Sequence, residues 1–157
     1  MRALIQRVRH ASVAIDGKTA GEIGVGLLVL LGVAPEDDAE IAAYLADRCA
    51  GLRIFEDEAG RMNRSLADVG GAMLVVSQFT LFADATQGRR PYFGNAAPPE
   101  LAEELYEVFK REAGKLAPVE CGRFGADMLV SLCNDGPVTI PLEALRNAGG
   151  KIALKGC

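Results

Sequence analysis

Tryptophan is absent from the 157 residues, histidine occurs once, and aromatics make up only 6%. The four cysteines, Cys49, Cys121, Cys133 and Cys157, form no CxxC pair, and with His10 they make no recognisable zinc set. No metal and no cofactor is therefore expected. Cysteine density at this length does not suggest a disulfide framework, so reduced thiols in a cytoplasmic protein are the reading. The longest nearly unbroken apolar run, Gly24 to Ala34, falls short of the roughly 20 residues a membrane helix needs, so no membrane partner is expected. It reads instead as a buried strand. Arginines and His10 precede any long apolar stretch, unlike a secretory signal. There is no internal repeat and no low-complexity tract.

What is present is a globular composition, 50% hydrophobic and 24% charged, on a length suited to one domain. The net charge is −4 and unevenly spread. Residues 36–58 hold eight acids against two arginines, and residues 97–127 seven acids against four bases. The other segments are each slightly positive. Acid thus concentrates in the two stretches that read as helices. A local basic surface can still meet a phosphate backbone, but general affinity for nucleic acid should be weak, and DNA is not expected as a partner.

Residues 2–15 and 18–34 read as strands around a turn at Asp16-Gly17. Asp37 and Glu40 have capping-box spacing, and Ile41, Tyr44, Leu45, Arg48, Cys49 and Leu52 recur with helical period. Arg53 to Phe55 suggests a short strand followed by a charged turn, and Ala72 to Ser77 another strand. A loop rich in Gly, Arg and Pro spans roughly 84–99. Pro98-Pro99-Glu100 opens a second helix with a stripe of Leu101, Leu105, Val108, Phe109 and Leu116. Further strands fit 117–121, 128–133 and 137–142. This order predicts an α/β fold: a single domain of mixed β-sheet layers with two main helices packed on one side. The domain is expected to span 1–144, with 145–157 a tail of uncertain order, most simply a disordered terminus.

Three segments can carry chemistry. Ser77-Gln78-Phe79-Thr80-Leu81-Phe82-Ala83-Asp84 follows a buried strand, where α/β proteins commonly place sites. It reads as a strand-end pocket or as an edge whose hydroxyls satisfy local backbone. Thr80 or Ser77 as a nucleophile would need a base within hydrogen-bond reach. His10 lies in an arginine-rich strand, Asp84 is too far along an extended chain, and no GxSxG or SxxK pattern occurs. Any ester hydrolysis here would lean on backbone donors and on the substrate itself. Asn134-Asp135-Gly136-Pro137-Val138-Thr139 reads, by composition, as a turn between two strands. Gln87-Gly88-Arg89-Arg90-Pro91-Tyr92-Phe93 is either a phosphate-contacting loop or a solvated one. Gly122 to Met128 is a Gly-rich turn without P-loop or GxGxxG spacing.

Together these segments resemble the D-aminoacyl-tRNA deacylase family. The likeness runs in order through Met1-Arg2-Ala3-Leu4-Ile5-Gln6-Arg7-Val8, Gly21-Glu22-Ile23, Leu52-Arg53-Ile54-Phe55, Ser77-Gln78-Phe79-Thr80-Leu81, Gly88-Arg89-Arg90-Pro91, Gly122-Arg123-Phe124-Gly125-Ala126 and Asn134-Asp135-Gly136-Pro137-Val138-Thr139. It covers residues 1 to about 143, and the ordered combination is specific where each motif alone is weak. The resemblance implies a homodimer that binds the acceptor end of charged tRNA near the subunit interface and releases a D-amino acid, or glycine mischarged on tRNA(Ala). Gly136-Pro137 matches the family's Gly-cis-Pro chirality filter, which reaches into the partner's pocket and excludes an L-side chain. Arg7 matches the arginine supporting that filter. Ser77, Gln78, Phe79 and Thr80 match the pocket segment, and Met128 a methionine lining it. The route implied is water attack, with backbone N–H groups of Phe79 and Thr80 stabilising the oxyanion and the terminal 2′-hydroxyl assisting. Tyr92 departs from the small polar residue usual after Arg-Arg-Pro, and Lys151 and Lys155 lie past the matched region. The alternatives are a non-catalytic RNA-associated module on the same scaffold, or a hydrolase of another small ester.

Overall fold

The computed structural model describes residues 1–155. Its first strand, β1 (Arg2–Ile15), organises the rest. Its N-terminal half pairs antiparallel with β3 (Gly26–Gly32), and its C-terminal half with β2 (Lys18–Ile23). Along its other side it pairs antiparallel with β8 (Leu129–Arg146). β6 (Ala72–Ser77) lies parallel to β3, and β7 (Val119–Cys121) parallel to β6. The seven-stranded sheet runs β7-β6-β3-β1-β8-β9, where β9 is Ile152–Lys155, with β2 also on β1. A separate small hairpin pairs β4 (Phe55–Glu56) with β5 (Met62–Arg64).

Helices α1 (Ala39–Ala50) and α2 (Pro99–Ala113) cover one face of this sheet. Ile41, Leu45 and Cys49 from α1, with Leu105, Phe109 and Ala113 from α2, bury against Ile5, Leu27, Val29, Leu31, Met73 and Val75. Each large side chain so buried contributes roughly 1.5–3 kcal/mol. Strand alternation sends Leu28, Leu74 and Val76 to the opposite face, where they join Val8, Ala11, Val13 and Ile23 in a second, smaller core. β3 is therefore buried on both faces, which is why it reads as a continuous apolar run. The mixed-sheet α/β architecture with both helices on one side is the predicted one.

Four details differ from the sequence expectations. The N-cap of α1 is Asp38, whose carboxylate accepts from the Ile41 N–H at 2.9 Å. Asp37, the expected cap, instead takes the buried Met1 ammonium at 2.5 Å and the Ala34 N–H at 2.7 Å. Leu116 lies beyond the end of α2 and is 43% exposed. The expected strands 128–133 and 137–142 are one strand, β8, so Asn134–Thr139 is not a turn between strands. Residues 145–155 are not an unordered tail: β8 continues to Arg146, and β9 (Ile152–Lys155) pairs antiparallel with it. Cys157 lies outside the described residues. No helix among those residues is long and apolar enough to cross a membrane.

Candidate active site

β6 ends at Ser77, and the chain then turns through a single 3-10 segment, Phe79–Phe82. Gln78 stays registered to the sheet because its N–H donates to the Leu31 carbonyl at 2.7 Å. Within the turn, Leu81 N–H donates to Gln78 and Ala83 N–H to Thr80. The N–H groups of Phe79 and Thr80 open the turn, where such donors have no partner inside it, and they meet no protein acceptor among the described residues. Arg2 grips the other end. Its Nη1 donates to the Leu81 carbonyl at 2.9 Å, its Nε to Glu143 at 2.9 Å, and its guanidinium lies 4.4 Å from the Phe82 ring centre.

Beside this turn lies a cavity of about 620 Å³. Ser77, Gln78 and Phe79 form one wall, Met128 just before β8 and Val130 at its start another, and Ala102 and Tyr106 of α2 a third. The size and the mainly apolar lining with a few polar groups suit a small organic ligand. Tyr106 is buried, donates its hydroxyl to the Val75 carbonyl at 2.9 Å, and packs near Phe124. Burial pushes its phenol well above the ordinary range, so it acts as a fixed donor. Phe93 closes the mouth, edge-on to Phe79 at 5.2 Å. A Cβ at Gly122 would sit 2.3 Å from the Met128 sulfur, so a larger residue there would push that flexible side chain aside.

Thr80 is exposed and does not line the cavity; its hydroxyl accepts from the Gln78 side-chain amide. No base faces it. Asp84 is occupied by the Thr86 N–H at 2.8 Å, which with the Thr86 hydroxyl holds its carboxyl below the usual range. His10 is exposed on β1 opposite Cys133.

Gly136, Pro137 and Arg7 form a second cluster, away from the cavity lining. Gln6 pairs with Thr139 and Val8 with Asn134, so the four residues 135–138 stand opposite Arg7 alone. This is an enlarged bulge that drives β8 outward. Asn134 pins its base: its side chain accepts from the Val138 N–H at 2.7 Å and donates to the Val138 carbonyl at 3.0 Å. The Gly136-Pro137 bond is cis, and both residues are exposed. Gly136 has φ of +141°, and a Cβ there would lie 2.7 Å from Val138 Cγ2. Arg7 is 4% exposed beneath them, donating through Nε to the Asp135 carbonyl at 2.8 Å and through Nη1 to the Ile54 carbonyl.

Of the residues singled out from sequence, Ser77, Gln78, Phe79 and Met128 meet at the cavity, with Thr80 on the adjoining turn. Arg7, Gly136 and Pro137 meet at the bulge. Phe93 and Phe124 come from two of the segments marked in the sequence, whereas nothing in the sequence marks Tyr106 as a site residue or Arg2 as the residue gripping the turn. Tyr106 falls among the α2 apolar residues, and nothing local marks its hydroxyl as aimed at the end of β6.

A strand-end cavity beside a turn with free backbone donors, and a projecting Gly-Pro bulge on the same chain, are the features that define the candidate site of this α/β protein. The chain belongs to the D-Tyr-tRNA(Tyr) deacylase family, whose pattern matches residues 4–143. It is 57% identical over 148 residues to a D-aminoacyl-tRNA deacylase of Chlorobaculum tepidum, covering 92% of this chain and 97% of that one. It is 59% identical over 145 residues to a D-aminoacyl-tRNA deacylase of Desulfatibacillum aliphaticivorans, covering 92% and 99%. A solved structure titled c-Myc DNA Unwinding Element Binding Protein matches with a TM-score of 0.86 at 41% identity, covering 91% of this chain and 98% of that one. A probable eukaryotic D-amino acid tRNA deacylase shares the fold alone, with a TM-score of 0.78 at 17% identity over 89% and 97% of the chains.

Proposed function

We propose that this protein is a hydrolase that cuts the ester joining a D-amino acid to tRNA. It acts as a homodimer in which each subunit's Gly136-Pro137 bulge enters its partner's cavity. The observation that carries this reading is the separation of the two clusters: the cavity at Ser77–Phe79 and the bulge at 135–138, exposed at Gly136 and Pro137, do not share lining residues within one chain. A second copy supplies the missing wall. Leu129, 75% exposed, and Leu132, 37% exposed, provide apolar surface on the same strand for that contact.

In this arrangement the Phe79 and Thr80 N–H groups receive the oxyanion as water attacks the ester carbonyl. The terminal 2′-hydroxyl of the tRNA orients the water, a role no side chain among the described residues is placed to take. Selectivity is by exclusion: the bulge carbonyls occupy the position of an L-side chain, and a glycyl ester, having no side chain, is also cleaved. The acceptor end of tRNA is the only macromolecular substrate proposed, and the site of action is the cytoplasm.

The test compares release of D- and L-tyrosine from charged tRNA, with glycyl-tRNA(Ala) alongside. Rapid release of D-tyrosine and glycine with L-tyrosine retained is expected. Equal release of both enantiomers, or release of neither, would defeat the reading and favour a non-catalytic binding role. Rapid cleavage of a free D-amino-acid ester without RNA would instead favour a small-ester hydrolase.

A further inference from the structure

The loop leading from the 3-10 turn to α2 is closed on itself. Asp84 and Tyr92 exchange backbone hydrogen bonds at 2.8 Å each, so residues 85–91 form a loop with a fixed neck. The chain next reaches Phe93, which lies against Phe79 at the cavity mouth, and Ala97, whose N–H donates to the Val33 carbonyl. Arg89 and Arg90 sit near the tip, both exposed. Neither has an acid or a hydrogen-bond acceptor among the described residues. Lys110 and Arg123, by contrast, are paired, Lys110 at 2.6 Å from Glu107 and Arg123 at 4.0 Å from Asp16.

The position of these arginines is bounded by chain length. Two residues, Pro91 and Tyr92, separate Arg90 from Phe93, so over three steps of 3.8 Å their Cα atoms are at most about 11 Å apart. An extended arginine then reaches the backbone of a strand leaving the cavity. The α2 side of the cavity is acidic. α2 borders the cavity through Pro99, Ala102 and Tyr106, and its exposed side carries Glu100, Glu103, Glu104 and Glu107. A polyanion is repelled there, and with a chain charge of −4 no diffuse field offsets that.

We infer that Arg89 and Arg90 bind the phosphates of the single-stranded 3′ end of tRNA just upstream of its terminal nucleoside, so that the RNA leaves the cavity over the 85–91 loop and away from α2. This rests on the functional reading above. It gives an acidic protein a local way to hold RNA, since arginine pairs with phosphate through two parallel N–H donors. Neutralising two single-strand phosphates contributes a salt slope of about 1.4 in log Kd against log salt.

The experiment measures binding of uncharged tRNA at several salt concentrations for the natural protein and for Arg89→Ala/Arg90→Ala. A tRNA trimmed of its last three nucleotides is measured in parallel, and melting temperature is checked. The double variant is expected to bind intact tRNA at least tenfold more weakly at low salt, with the slope shallower by about 1.4. Trimmed tRNA is expected to bind both proteins alike. Equal affinities and slopes for intact tRNA would overturn the inference. So would a trimmed tRNA that keeps the full sensitivity to the variant, because the contact would then lie on the duplex. Release of D-tyrosine from charged tRNA by the natural protein is measured separately and judges the functional reading, whichever way the binding falls.

Discussion

Arg7 Nε donates to the backbone carbonyl of Asp135 at 2.8 Å, and Arg7 is the lone β1 residue facing the four-residue bulge of β8. The same guanidinium reaches the Ile54 carbonyl and lies 3.6 Å from the Asp135 carboxylate. Removing it strands two carbonyls that a buried cation satisfied. Arg7→Ala should therefore lose about 2–4 kcal/mol in a urea titration. Arg7→Lys keeps the charge but not the forked donors, and should recover only part of that. In both variants the ratio of D- to L-tyrosyl-tRNA cleavage should fall, because the bulge loses its fixed orientation.

Gly136 occupies a backbone region that L-residues avoid, and any Cβ there collides with Val138. Gly136→Ala should cost about 1–3 kcal/mol, and the bulge should move to relieve the contact. Cleavage of D-tyrosyl-tRNA should drop by about tenfold or more, and a circular-dichroism melt would show whether stability falls with it. Unchanged cleavage with unchanged selectivity would mean the bulge does not touch the substrate.

The sheet and both helices were legible because their signals are local: unbroken apolar β3, Pro99 opening α2, and the i, i+4 spacing of Ile41, Leu45 and Cys49. The bulge was not, since Asn134-Asp135-Gly136-Pro137 has the composition of a turn. Whether such residues end a strand or bend one depends on register with β1, a non-local property. The same holds for Asp37 and Asp38. Either carboxylate can cap a helix, and the choice is made by the Met1 ammonium, which claims Asp37. In the sequence Arg2 is one residue of a motif, and its contact with Leu81 depends on how the chain after β6 folds, a non-local property.

Asp38 yields a pH-dependent stability. Burial opposes its charge, but the Ile41 N–H and Arg146 outweigh that and hold the carboxyl below its ordinary range. A carboxylate with a depressed folded pKa stabilises the fold above its unfolded value, and that stabilisation fades as pH falls through the folded one. Asp38→Ala should cost about 1 kcal/mol near neutrality, as for other N-caps. Denaturant titrations should show the two proteins converging as the medium becomes more acid than the unfolded aspartate pKa. A gap that is constant down to low pH would show that the cap does not act through its charge.

Arg2 fixes the far end of the turn whose first two N–H groups face the proposed oxyanion. Its removal should misplace those donors without altering the cavity walls. Arg2→Ala is expected to lower kcat by about tenfold, the scale of a partly lost transition-state hydrogen bond, with KM little changed. Arg2→Lys cannot span Leu81 and Glu143 together and should rescue weakly. A rise in KM at constant kcat would instead mark Arg2 as a contributor to substrate binding.

Thr80 is the side chain that most invites a covalent mechanism, being the hydroxyl nearest the free donors. Its surroundings argue otherwise. It is exposed, its oxygen accepts from Gln78, and neither His10 nor Asp84 is placed to take its proton. An activated nucleophile needs such a base within hydrogen-bond reach. Thr80→Ala keeps the backbone N–H and removes only the hydroxyl, so turnover of D-tyrosyl-tRNA should stay within about tenfold of the natural protein. Loss beyond about a hundredfold, or a burst of tyrosine-linked protein in rapid-quench experiments, would restore the acyl-enzyme. Thr80→Pro removes the backbone donor as well, and should abolish activity if the oxyanion is held by the main chain.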